Sequence, residues 1–189
     1  DYGAVIVVND ASEDNTGFVA AKAGAIVINH EVNRGYDKAL ESGFMRADEL
    51  GCEYVVTMDA DGQHDPMVIK EFIRQANSGK ELVIGSRFIK GSSTPNFSSW
   101  RKFISLVGNF LVRYLGGVYM IRDCTSGFRC IKTDVLRQCN LNNLSTRGYS
   151  FQSSLICELM RNKANAIEVP IVFRKREGGL SKLTFEDQI

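Results

Sequence analysis

Few residues here announce zinc, disulfide or redox chemistry. The five cysteines (Cys52, Cys124, Cys130, Cys139 and Cys157) are odd in number and scattered, with no C-x-x-C pair. That argues against a zinc site or a disulfide framework and for a reducing compartment. Histidines number only two. No G-x-G-x-x-G follows a strand-like run, so the fingerprint of a Rossmann dehydrogenase is missing. No basic helix with interleaved aromatics stands out, and the net charge is +1, so nucleic acid is not an expected partner. The opening residues do not read as a signal peptide. The nearest approach to a membrane span, 103–121, carries Asn109 and Arg113 near its middle. It reads as an amphipathic helix that lies against a surface. No internal repeat or interdomain linker is visible.

With 189 residues, 44% of them hydrophobic, the chain has the size of one domain and can bury a sizeable core. Its near-neutral charge conceals a split. Residues 1–86 hold 7 Lys/Arg against 15 Asp/Glu, a net −8, while residues 87–189 hold 16 against 7, a net +9. Such a division suggests a carboxylate-rich or metal-rich site in the first part and anion binding in the second.

The acidic half centres on Tyr54-Val55-Val56-Thr57-Met58-Asp59-Ala60-Asp61-Gly62-Gln63-His64-Asp65-Pro66. The apolar start reads as a buried strand, and Pro66 opens a helical pattern through Val68, Ile69, Phe72 and Ile73. Between them stand two carboxylates one residue apart. Ligands of open parallel sheets collect at the carboxyl ends of strands, and hard oxygen donors there suit magnesium or manganese carrying phosphates. The plainer alternative is that both aspartates only cap the helix. A calcium EF-hand loop is excluded, because its sixth and twelfth places hold His64 and Lys70 instead of Gly and Glu.

Around this stretch strand and helix alternate. Strands are expected at 5–8, 25–28, 54–56 and 82–84, with helices at 19–23, 37–50 and 66–76, which predicts a mostly parallel sheet covered on both faces. After Gly85-Ser86-Arg87 the pattern breaks into a small-residue loop at 91–96. The amphipathic helix follows, then a polar turn at 123–129. Helices near Val135 and over 151–160 precede a strand at 167–173, whose Pro170 predicts an edge position. The end, 174–183, is a basic loop hinged by Gly178 and Gly179, suited to closing over an anion.

Several motifs now fall in a telling order. Val7-Val8-Asn9-Asp10-Ala11-Ser12-Glu13-Asp14-Asn15-Thr16 resembles a D-D-x-S-x-D-x-T segment, Asn33-Arg34-Gly35 an N-x-G turn, and 59–66 a D-A-D-x-Q-x-x-P metal motif. Gly85-Ser86-Arg87, Thr125-Ser126-Gly127-Phe128-Arg129 and Gly148-Tyr149-Ser150-Phe151-Gln152 continue the series, and Arg176 through Lys182 is similar to an R-x-x-G-x-S-K loop. Together they resemble the inverting GT-A glycosyltransferases of family 2, specifically the polyprenyl-phosphate sugar transferases of the dolichyl-phosphate mannose synthase type.

The resemblance implies one GT-A catalytic domain over 1–189, without the fold's first strand and P-x-x-N-E-type segment and without any C-terminal membrane part. It implies donor binding by Asp10, Asn33, Arg34, Gly35, Asp59, Ala60, Asp61 and Gln63. Asp59, Asp61 and Gln63 would hold Mg2+ or Mn2+, with Asp59, Asp61 and Arg87 as the catalytic set. A lipid phosphate acceptor needs no strong base but does need cations, for which Arg101, Ser105, Arg129, Arg176 and Lys182 are the candidates. The partners implied are a GDP- or UDP-hexose, polyprenyl phosphate and a membrane surface, at its cytoplasmic face. Asn9 stands where the family has an acid, and Tyr36-Asp37 where it has small residues. Two other functions remain open: transfer to a glycan hydroxyl, and nucleotide-sugar binding without catalysis.

Overall fold

The computed structural model describes residues 3–139 and 150–176. They fall into two compact units, Asp1–Glu53 and Tyr54–Ile189.

The first unit alternates β1 (Ile6–Asn9), α1 (Thr16–Lys22), β2 (Ile26–Asn29) and α2 (Tyr36–Glu49). β1 and β2 pair in parallel, with Ile6 opposite Ile26 and Asn9 opposite Asn29. At the carboxyl end of this pair the Asn9 amide donates to Asn29 Oδ1 (2.9 Å), while its own Oδ1 accepts from the Ser12 N–H (3.1 Å). Asn9 is therefore a strand-to-strand tie, a role that needs an amide's donor as well as its acceptor. Gly51, at φ 68°, follows α2 in a conformation that costs a residue with a Cβ about 1 kcal/mol.

The second unit holds β3 (Tyr54–Thr57), a 3-10 turn at Pro66–Val68, α3 (Ile69–Asn77), β4 (Leu82–Ser86) and α4 (Ser99–Leu115). β5 (Arg129–Lys132), α5 (Thr133–Arg137), α6 (Ser150–Arg161) and β6 (Ala166–Pro170) complete it. Its sheet runs β3-β5-β4-β6. β5 is antiparallel to both neighbours, and β4 and β6 are parallel. Here the structure departs from the simple alternation read above. The turn at 123–129 delivers an antiparallel strand into the middle of the sheet. Its four residues, Arg-Cys-Ile-Lys, begin and end on charge and show no apolar run to announce a strand. β6 stands at the edge, as Pro170 predicted.

β4 is buried at every position, which places cover on both of its faces. One core cluster joins Phe72 and Ala76 of α3, Val83, Phe128, Cys130, Val169, Ile171 and Phe173. α4 is the exception to burial. Capped by Ser98, whose hydroxyl accepts from the Arg101 N–H (3.2 Å), it buries Asn109 and exposes Phe103, Leu106, Val107, Phe110, Leu111, Tyr114 and Leu115. It begins and ends earlier than 103–121. No described helix is long and apolar enough to cross a membrane.

Gly85, the first residue of the Gly-Ser-Arg motif, sits where β4 passes closest to its neighbours. A Cβ there would lie 3.0 Å from the Phe128 ring, 3.1 Å from Ile171 Cγ2 and 3.2 Å from the Phe128 carbonyl oxygen. Gly85→Ala should therefore destabilise the protein by about 1–3 kcal/mol through overpacking. The expected readout is a lower urea midpoint at unchanged slope.

Candidate active site

The acidic loop begins where β3 ends, anchored by Thr57 Oγ1, which donates to the Gly127 carbonyl (2.6 Å). Gly62 turns it at φ 76°. The Asp61 carboxylate accepts the Gln63 N–H (3.0 Å), a local turn bond of the kind Asp favours. The helix-capping task falls to Asp65, whose Oδ1 accepts from the Met67 N–H (3.0 Å) ahead of Pro66. Asp59 and Asp61 are not the caps, and both are half-buried at the strand's carboxyl end.

The segment after β6 is stitched onto this loop. The Arg174 N–H donates to the Gln63 carbonyl (2.9 Å), and Gln63 Nε2 donates to the Arg174 carbonyl (3.0 Å). The Arg174 guanidinium meets Asp65 (2.6 Å), and Arg176 meets Asp61 Oδ2 (3.0 Å). Two residues that sequence reasoning passed over, Asp65 and Arg174, thus join the acidic loop to the basic one. The Gln63 side-chain amide nitrogen is thus committed to that backbone.

Arg87 lies just past β4, its side chain 12% exposed. Its Nε and Nη2 grip Asp123 at 2.8 and 2.7 Å, its backbone N–H donates to Asp123 Oδ2 (2.8 Å), and Nη2 also donates to Thr125 Oγ1 (2.7 Å). Burial alone would raise the Asp123 carboxyl, but the charge and hydrogen bonds of Arg87 outweigh it and hold it below the usual range. The Asp123 N–H and the Arg122 N–H both donate to Glu168 of β6 at 2.9 Å. Asn109 of α4 accepts the Cys124 N–H (2.6 Å) and donates to the Ser105 carbonyl (2.8 Å). Asp123, Asn109 and Glu168 were missed in the sequence, where each is one polar residue among many.

Three arginines share this region. Arg87 acts electrostatically with Asp59. Burial, then the charges of Arg87 and Arg176, lower the Arg101 guanidinium from its ordinary value. Arg101 stacks over Phe97, 4.4 Å from the ring centre, and makes no ion pair among the described residues. Ser105 stands one helical turn further along α4, on the same side as Arg101.

Arg129 corrects the expectation placed on it. It is fully buried, and its guanidinium donates to the carbonyls of Gln152 (2.8 Å) and Cys124 (2.7 Å). It is a framework cation of β5 and offers no surface to an acceptor phosphate. Lys182 lies outside the described residues. His64 stacks on Phe128 at 4.8 Å, and burial pushes its imidazole down to about 4 despite the nearby Asp61. At neutral pH it adds no positive charge.

In the first unit, Asp10 and the Asn33-Arg34-Gly35 turn form one structure. The Asp10 carboxylate accepts the Arg34 N–H (2.8 Å) and the Gly35 N–H (2.9 Å). Asn33 and Arg34 are exposed, as is Ala60 in the second unit.

Among the described residues no three His, Cys, Asp or Glu side chains form a metal cage of their own. The oxygens of Asp59, Asp61 and Gln63 would nonetheless suit a hard divalent cation. Asp61 already accepts a cation in Arg176, which is the same electrostatic demand. Asp123→Ala would leave Arg87 buried without its counter-charge, at a cost of about 3–5 kcal/mol in denaturant unfolding. A loss below about 1 kcal/mol would overturn the framework role of this pair.

The chain matches the family model for glycosyl transferase family 2 over residues 4–139. It is 33% identical to the polyprenol monophosphomannose synthase of Mycolicibacterium smegmatis, covering 95% of this chain and 70% of that protein. It is 35% identical to the undecaprenyl-phosphate mannosyltransferase of Micrococcus luteus, covering 95% and 75%. With the UDP-N-acetylglucosamine--dolichyl-phosphate N-acetylglucosaminyltransferase of Methanococcus voltae it shares 32% identity, covering 90% and 74%. In structure it is similar to the Mycobacterium tuberculosis glucosyl-3-phosphoglycerate synthase, solved with Mn2+ and UDP, at a TM-score of 0.65 and 18% identity. That match covers 94% of this chain and 62% of the other, so the chain spans less than two thirds of it. The helix-covered, parallel-containing sheet is thus the GT-A fold, and the chain belongs to glycosyl transferase family 2.

Proposed function

We propose that both units belong to one GT-A catalytic domain, which transfers a hexose with inversion from a nucleotide-diphosphate sugar to polyprenyl phosphate at the cytoplasmic face of a membrane. The observation that carries this reading is the gathering of Arg87, Arg101 and Arg176 around an acidic loop that offers no general base among the described residues. Among the described residues each carboxylate of this region has a cationic neighbour: Asp61 pairs with Arg176, Asp65 with Arg174 and Asp123 with Arg87, and Asp59 acts on Arg87. His64, at about 4, is too weakly basic to deprotonate a hydroxyl. A glycan hydroxyl would need such a base, whereas a lipid phosphate arrives as an anion and needs cations instead. The names of the mycobacterial, micrococcal and methanococcal relatives support the same acceptor class.

In this scheme Asp59, Asp61 and Gln63 would hold Mg2+ or Mn2+, which when bound would supply Lewis-acid stabilisation of the leaving diphosphate. Asp10, with the 33–35 turn folded on it, takes the nucleotide base. Arg101, with Ser105 one turn away, and Arg176 bind the acceptor phosphate and offset repulsion between two anions. Arg87 is held rigid by Asp123 and lends positive potential without moving. α4 lays Trp100, Phe103, Val107, Phe110 and Tyr114 on the membrane surface, flanked by Arg101 and Lys102, so the helix that meets lipid also carries the acceptor's cation.

The decisive assay presents radiolabelled nucleotide-sugars with polyprenyl phosphate, with and without Mn2+, and follows label into the organic phase. Metal-dependent hydrolysis of donor without lipid labelling would instead point to a hydroxyl acceptor, and no turnover with any donor to a binding module. Asp61→Asn should fold normally and lose metal-dependent transfer by about a hundredfold or more; unchanged metal dependence would remove Asp61 from the site. Arg101→Ala should raise the KM for polyprenyl phosphate roughly tenfold with donor binding nearly unaltered, and equal losses in both would contradict its assignment.

A further inference from the structure

Asp10 is more constrained than a base ligand needs to be. Besides the two backbone N–H groups, its Oδ1 pairs with His30 Nδ1 at 2.7 Å. The His30 ring is 5% exposed, and its other nitrogen, Nε2, lies 2.9 Å from Ser42 Oγ on α2. Burial opposes ionisation of Asp10, but the hydrogen bonds from Arg34, His30 and Gly35 prevail and keep it ionised well below neutral pH. An ionised carboxylate only accepts, so in the neutral ring Nδ1 carries the proton and Ser42 donates to Nε2.

The Ser42-His30-Asp10 order resembles a nucleophile relay, yet Ser42 sits inside α2, where backbone N–H groups are spent on the helix and form no oxyanion hole. The arrangement positions Asp10 instead. A carboxylate has about four lone-pair sites, two on each oxygen. Oδ1 accepts twice, from Arg34 and His30, and Oδ2 once, from Gly35. One site remains, on Oδ2.

From this count we infer that Asp10 accepts a single N–H from its ligand and that the donor is a uridine diphosphate sugar, with His30 as the specificity-determining residue. Uracil presents one imide N–H. Guanine presents two adjacent donors, N1–H and N2–H, which fork onto both oxygens of a carboxylate, and His30 already fills the place the second would take. This rests on the assignment of Asp10 to the nucleotide base proposed above.

Calorimetric titration of the purified full-length protein with UDP and with GDP, each with Mn2+, tests it. UDP should bind about tenfold or more tighter, because guanine would leave a donor unpaired. His30→Leu should narrow that ratio in favour of GDP by opening a second acceptor site, and His30→Asn, whose amide N–H replaces Nδ1–H, should restore it. A wild-type protein that binds GDP as tightly as UDP overturns the inference, whether or not the variants fold. So does an unchanged ratio in folded His30→Leu. Asp10→Asn separates the two levels. If it weakens nucleotide binding while GDP is preferred, only the base selection fails; if it alters neither nucleotide, the assignment of Asp10 itself falls.

Discussion

Arg87 and Asp123 form a buried ion pair in which the carboxylate is wholly removed from solvent. Removing two charges from water costs several kcal/mol per ion, and mutual attraction offsets that only when the remaining donors and acceptors are satisfied as well. Much of the second unit meets this demand. The Arg87 backbone N–H and Thr125 complete the coordination, Glu168 of β6 takes the N–H groups of residues 122 and 123, and Asn109 of α4 ties Cys124 to the helix. The end of β4, the turn into β5, the edge strand and the exposed helix are thereby tied to one electrostatic contact. An arginine fixed in this way keeps its charge at any working pH and cannot swing onto a passing carboxylate.

The other two arginines differ in how much holds them. Arg176 leans on Asp61, half-exposed, and Arg101 rests on the face of Phe97. A half-exposed guanidinium with one ion pair, or with only a ring beneath it, is held by fewer contacts than Arg87. The region therefore grades its cations from tightly to loosely held. The loosely held ones lie on α4 and on the segment after β6. Asp10 shows the same economy in the first unit, where three donors leave it a single place for a ligand.

The local elements were largely legible because local physics specifies them. Pro66 after an apolar strand and Pro170 at an edge each act through their own backbone, whatever surrounds them. The placement of the acidic pair just past a strand was legible too, since it depends only on the adjoining apolar run and on Pro66. β5 was not legible. Its charged ends hide a strand whose buried arginine donates to carbonyls of residues five positions before it and twenty-three after. Arg129 looked like one more anion binder because type and motif position carry no information about burial.

The residues alone thus determined the alternation of strand and helix, the family, the carboxylate pair after β3 and the segregation of acidic from basic halves. These depend on neighbours within a turn or two, or on motif order along the chain. Only the tertiary structure decided which charges are spent and which remain for ligands. It gave Asp65 to Arg174, Asp123 to Arg87, Arg129 to the Gln152 carbonyl and His30 to Asp10. Each of those assignments joins groups far apart in sequence at hydrogen-bond distance. A charged side chain's function is set by the partner it meets there, and that partner is chosen by packing.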